Sequence, residues 1–256
     1  MKGEAGPPPA GTIGDVLARL DGVVDRCLSE GSRLGYFAAL YRAVTARVRD
    51  GIASDRFEDG PRMERFDVLF ANRYLDAVGR LWRGEEPSRS WRVAFRAAER
   101  WSPTILQHIL LGMNAHINLD LAIAAAEAAP GDSLPGLKRD FDEITVLLDE
   151  MIQGVQRRLA RVSPWLRAID AVGGRSDEEI CAFAIGKARR LAWNGAETLA
   201  VLGPNERAAA ISRHDDVVVI VADAIRSPGP LLRTAQLLSR IRENQAVPEV
   251  IEALAS

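Results

Sequence analysis

At 256 residues the chain is long enough to bury a sizeable core, as one large helical domain or one and a half ordinary ones. Thirty-three basic residues against thirty-five acidic ones leave no polybasic footprint for phosphate backbones or anionic lipid, so neither a nucleic-acid nor a membrane partner is expected. The two cysteines, Cys27 and Cys181, lie far apart without a CxxC partner; they read as small buried hydrophobes in a reducing, cytoplasmic compartment.

Taken in chain order, the amino-terminal MKGEAGPPPAG has one lysine and no apolar run. Residues 1–11 are therefore expected to form a disordered tail rather than a signal or transit peptide. From there apolar residues recur at helical spacing and strand-like alternation is nearly absent, which predicts an all-α fold: a single multi-helix, bundle-like domain. The first helix spans Thr12 to Glu30, with Thr12 as a cap three residues before Asp15. A second covers Tyr36 to Asp50, followed by the loop GIASDRFEDGPR. A third runs from Met63 to Arg83 and a shorter one from Trp91 to Glu99. In WSPT, Ser102 is expected to cap and Pro103 to take the first helical position of a helix ending near Ala128 at PGDSLPG. Further helices are expected from Leu137 to Arg161, ended by SPW, and from Ser176 to Leu202, ended by GPNE. Residues 12–202 thus form the helical domain, and 203–256 a C-terminal helical extension packed on it. Within that extension Val217 to Val221 are five β-branched residues in a row. A lone strand could not satisfy its backbone groups, so a buried helix is expected there.

The helix containing QHILLGMNAHINLDLAIAAA, Gln107 to Ala126, is the most apolar in the chain, yet it holds two of the three histidines. It is too interrupted for a membrane span, because Asn114, His116, Asn118, Asp120 and Glu127 break the run from Ile109 to Ala129. At about 100° per residue, Asn114 and Asn118 fall within about 20° of Gln107, so three amides share one side. His116 and Asp120 fall on the opposite side, with Gly112 alongside to admit a close neighbour. A carboxylate one turn from an imidazole orients it and raises its pKa, which suits general acid/base work. The same pair suits two ligands of a metal. Only His108 and His214 remain besides, so a multi-zinc site is not expected, and a single divalent metal would lean on carboxylates such as Asp140 or Asp142. The plain alternative is that these side chains bond the backbone of neighbouring segments.

Asp140 lies on the edge of an apolar stripe formed by Phe141, Ile144, Leu148, Met151, Ile152, Val155 and Leu159. It is either a partner for His116 or a cap of its own helix. Two other stretches mix aromatic and polar residues: FANRYLDA, with Asn72, Arg73, Tyr74 and Asp76, and RRLAWNGAETLA, with Trp193, Asn194 and Glu197. Together with the polar helix they could line one pocket between helices.

The segments FANRYLDA, W, AF, LQHILLGMNAHINLDLA, DF, VQ and AW, in this order, give the chain its resemblance to an uncharacterised bacterial family. That family is a domain of unknown function frequent in actinobacteria and related soil bacteria, with GMNAHINLDLA as its signature. The resemblance covers Gly35 to about Leu202. It implies an all-helical domain in which the His116 segment recurs, and it carries no activity.

The expected function is that of a cytoplasmic enzyme acting on a small molecule without a cofactor, with His116 as acid or base and Asp120 and Asp140 as its carboxylates. Gln107, Asn114, Asn118, Asn72, Arg73, Tyr74, Trp193 and Asn194 would bind substrate. The reaction would be a cyclisation, dehydration or isomerisation, in specialised metabolism. Two rivals stand beside it: a metal-dependent hydrolase, and a non-catalytic binding or interaction module whose polar cluster holds helices in register. No Gly-rich phosphate loop, dinucleotide fingerprint or nucleophile elbow supports a nucleotide or serine-hydrolase reading.

Overall fold

A computed structural model describes residues 8–162, 176–227, 237 and 240–255. Residues 1–7, the SPW segment at 163–165 and the side chains of Ile152, Val155, Leu159 and Cys181 lie outside the described residues. The protein is all-α, as its periodicity predicts. Its helices are α1 (Ile13–Glu30), α2 (Gly35–Ala53), α3 (Gly60–Trp82), α4 (Arg89–Ala98), α5 (Ile105–Ala128), α6 (Leu134–Val162), α7 (Ser176–Val201), α8 (Pro204–Arg226) and α9 (Val247–Ala255).

Local chemistry sets where these helices begin. Thr12 and Asp15 form the expected box at α1: Asp15 N donates to Thr12 Oγ1 at 3.1 Å and Thr12 N donates to Asp15 Oδ2 at 3.0 Å. Helix α3 begins inside the expected loop, because Asp59 accepts from Arg62 N at 2.9 Å and Pro61 fits the first turn. The start of α5 also differs from expectation: the cap is Thr104, not Ser102 with Pro103 in the helix. Gln107 N donates to Thr104 Oγ1 at 3.2 Å, and Thr104 N donates to Gln107 Oε1 at 3.0 Å. This reciprocal box satisfies two amides, whereas the residue three places after Ser102 is Ile105, which has nothing to return.

Three buried acids distant in sequence reinforce helix starts, where amide donors lack partners and the helix dipole favours negative charge. Asp215 of α8 accepts from Arg89 N at 2.7 Å and Ser90 N at 3.0 Å, at the head of α4. Glu243 accepts from Ile105 N at 3.0 Å, at the head of α5. Asp140 of α6 accepts from Glu58 N at 2.7 Å, just ahead of α3.

Helix α5 has the length and composition to cross a membrane, but 78% of its most apolar window is buried inside the protein. It runs through two apolar clusters. Ile105, Ile109, Leu111 and Ala115 pack with α1, α2, α3, α4 and α9, while Leu119 and Leu121 to Ala126 pack with α3, α6 and α7. His116 sits at the seam. The β-branched run on α8 is helical as expected but is not buried throughout: Val217, Ile220 and Val221 are 55%, 69% and 41% exposed. Among the described residues helix α8 lies chiefly against α4 and α5, so Val218 and Ala222 face inward, Val219 is half-buried and the rest of the run faces outward.

Candidate functional site

Helix α5 is not α-helical throughout. Between Ile105–Met113 and Leu121–Ala128, the seven residues Asn114–Asp120 form a π-helix, a widened turn that is rare and concentrates at functional sites. The polar residues of NAHINLD therefore stand on a segment whose turn is wider than the 100° geometry assumes.

On the side facing α8, every amide is engaged. Gln107 Nε2 donates to Ile225 O at 2.7 Å, and Asn114 Nδ2 donates to Val218 O at 3.0 Å. Asn118 Nδ2 donates to Asn114 Oδ1 at 2.8 Å. His214 of α8 donates through Nε2 to the Asn118 carbonyl at 2.6 Å. The three amides do share one side, where Gln107 and Asn114 hold the backbone of a neighbouring helix and Asn118 holds Asn114.

His116 and Asp120 lie elsewhere. Nδ1 of His116 is 3.2 Å from Asp120 Oδ2, which also accepts from Trp91 Nε1 at 2.8 Å, while Oδ1 accepts from Arg73 Nε at 3.2 Å. Because the carboxylate accepts, Nδ1 carries the proton, and in the neutral ring Nε2 is left as the acceptor. That atom is buried without a hydrogen-bond partner among the described residues. Burial holds the His116 pKa below its ordinary value, against the opposing pull of Asp120, so the ring is neutral at neutral pH. Aromatic rings surround it: Phe70 stacks on the imidazole at 3.7 Å between centroids, and Tyr41 meets it edge-on at 4.5 Å.

His116 lines a pocket of about 90 Å³ within an envelope of about 720 Å³. The walls are mainly apolar, from Leu40 and Val44 of α2, Phe66 and Phe70 of α3, Met113 and Ile117 of α5, and Ile144 and Leu148 of α6. Three further polar side chains line it: Tyr41, Asp67 and Arg189. Among the described residues Asp67 Oδ2 is, like His116 Nε2, buried without a hydrogen-bond partner, while the Tyr41 hydroxyl has the neighbouring Thr45 side chain to bond. Such groups are costly and rare in a native interior, and two beside one cavity mark it out. Desolvation, with Glu64 adding to it, raises the Asp67 carboxyl to about 7. Desolvation likewise raises Tyr41 well above its ordinary value, with Asp67 contributing.

The structure brings His116, Asp120, Arg73 and Tyr74 together, with the Tyr74 and His116 rings 6.1 Å apart between centroids, and places the other sequence candidates apart from them. Asp140 has its carboxylate filled by Glu58 N, Asp59 N and the Arg62 guanidinium at 2.7, 3.3 and 2.7 Å, so it is bonded to the loop before α3 rather than to His116. Asn72 holds both backbone groups of Ala10, accepting from its N at 2.8 Å and donating to its O at 3.0 Å. Tyr74 is buried among Phe37, Tyr41 and Trp91, and burial raises its pKa. Trp193 donates to Glu197 at 2.8 Å, and Asn194 is exposed. Gly112 does admit a close neighbour: a Cβ there would lie 2.5 Å from Phe37 Cγ. Among the described residues no three His, Cys, Asp or Glu side chains come together to hold a metal ion.

Sequence reasoning passed over Tyr41, Asp67 and Arg189. For Asp67 a signal existed: in RFDVLF it is an acid set among apolar residues, the same anomaly that singles out His116.

No curated protein and no solved structure matches the chain. A family match runs over residues 13–228, beyond both ends of the stretch that carries the resemblance, and by it the chain belongs to DUF5995, a family of unknown function.

Proposed function

We propose that the protein is a small-molecule enzyme in which His116 acts as general base, and Asp67 as general acid, on a largely apolar substrate held in the pocket between α2, α3, α5 and α6. The observation that carries this reading is the His116 imidazole: its proton is fixed on Nδ1 by Asp120, and its free Nε2 acceptor is buried at an apolar pocket. Arg73 and Trp91 hold Asp120 in place, so the carboxylate stabilises the imidazolium formed when Nε2 takes a proton. Asp67, protonated up to about pH 7, supplies the second proton. Environment pushes the two groups in opposite directions, the base kept neutral and the acid kept protonated, as acid–base pairs require.

In a dehydration, Nε2 would remove a proton from carbon, the released electron pair would form the double bond, and the hydroxyl would leave as water with the Asp67 proton. An isomerisation or cyclisation uses the same two transfers, and solvent carries the proton from His116 back to Asp67 between turnovers. We place this chemistry in cytoplasmic specialised metabolism. On this reading GMNAHINLDLA recurs in the actinobacterial family because it builds the site.

The test uses small-molecule extracts in heavy water, incubated with wild-type protein or with His116→Gln and compared by mass spectrometry. Compounds converted or deuterated by wild type alone are expected. Equal conversion by the variant, or none by either protein, counts against acid–base catalysis and for a non-catalytic binding pocket, which the ring of Phe70 stacked over the imidazole would suit.

A further inference from the structure

The pocket contains one charge that the acid–base chemistry does not use. Arg189 of α7 lines it and is only 3% exposed. Its Nε donates to Thr145 Oγ1 at 2.8 Å, its Nη2 donates to the Phe141 carbonyl at 2.6 Å, and its Cζ lies 4.4 Å from the centre of the Phe141 ring. All of these fix the guanidinium in place, and none neutralises it. The contrast with the other deeply buried arginine is direct. Arg240 pairs with Glu243 at 3.4 Å, whereas among the described residues no carboxylate lies within ion-pair distance of Arg189, on which Asp142 acts only from further off. Burial lowers the Arg189 pKa to about 10, so the group is still charged at neutral pH. A fixed, desolvated cation with no directly paired carboxylate in an apolar pocket is the arrangement that selects a single negative charge carried on a hydrocarbon body.

We propose that Arg189 is the anchor for the carboxylate of an amphipathic monocarboxylic acid whose apolar part fills the pocket beside His116. The guanidinium fork matches a carboxylate, and the walls formed by Leu40, Phe66, Ile117, Ile144 and Leu148 match an alkyl or aryl chain. Asp67 does not oppose such a ligand below neutrality, because its own carboxyl is then protonated. The carboxylate anchor rests on the pocket being where the substrate sits, and not on what His116 does there.

The experiment is isothermal titration at pH 6 of the full chain with octanoate and with octan-1-ol, which share a chain and differ in charge. Wild type is expected to bind octanoate at least tenfold more tightly than the alcohol. Arg189→Gln should erase that preference while octan-1-ol still binds, and Arg189→Lys should retain part of it. Equal binding of acid and alcohol by wild type, or binding of neither, overturns the proposal without any variant having to fold. The two readings fail separately. A wild-type protein that prefers octanoate but converts nothing in extracts loses only the acid–base chemistry, and one that converts neutral compounds without preferring the acid loses only the Arg189 anchor.

Discussion

The side of α5 against α8 and the side against the pocket carry similar residues, buried amides and imidazole-bearing neighbours in an apolar helix, but they treat them in opposite ways. Against α8, Gln107, Asn114 and Asn118 each find a partner, and His214 closes the set on the Asn118 carbonyl. Against the pocket, among the described residues, His116 and Asp67 each keep an atom unpaired beside empty space. A polar residue in a buried helix is thus not by itself a site. Fully partnered groups stabilise the fold, and groups left unpartnered at a cavity cost stability and are available to a ligand.

Substitutions can test that difference. The largest effect is expected at Asp120, which is fully bonded although it sits under the open-side imidazole. Asp120→Ala leaves Arg73, Trp91 Nε1 and His116 Nδ1 without their shared acceptor, and urea denaturation should register a loss of about 3–5 kcal/mol.

The next effect has the opposite sign and belongs to the open side. Asp67 has its carboxyl raised from 3.8 to about 7 in the folded state. Between those values the folded protein holds a proton that the unfolded chain has lost, so the stability linked to this group is fully present below 3.8 and is lost as the pH rises through about 7. Asp67→Asn cannot ionise. Relative to wild type it should therefore gain on the order of 3 kcal/mol in going from pH 4 to pH 8, measured as the difference between two urea curves at each pH. A wild type and variant that track each other across this range would place Asp67 among the partnered groups.

The smallest effect is on the closed side. Asn114→Ala strands the Val218 carbonyl and the Asn118 amide, and should cost about 1–3 kcal/mol while leaving octanoate binding where it was. A variant of normal stability with weakened binding would reverse the roles assigned to the two sides.

Much of this was legible in the sequence, for physical reasons. Helical periodicity needs only local spacing, so the all-α class and most helix positions follow from it. The pairing of His116 with Asp120 also survives, because four residues bring two side chains together in an α-turn and still do so here in a π-turn. What was not legible depends on where distant helices meet. The pocket takes its polar lining from α2, α3, α5 and α7, so Tyr41, Asp67 and Arg189 have no shared spacing to reveal them. Asp140 reads as a core acid near His116, yet it is committed to backbone amides 81 and 82 positions earlier in the chain. The run at Val217 to Val221 has the composition of a buried segment and is half outside, because whether another helix covers α8 is not written in α8 itself.

The acids that finish helix starts impose an order on how the chain can be completed during synthesis. The apolar α5 is made before α8, whose backbone engages Gln107 and Asn114, and before Glu243, which caps its first amide. Asp215, which finishes α4, also emerges more than a hundred residues after the amides it binds. A nascent chain stopped near residue 200 therefore displays its most hydrophobic helix without the segments that close over it, a form prone to chaperone capture and self-association, and α8 and Glu243 act as a late-arriving clasp.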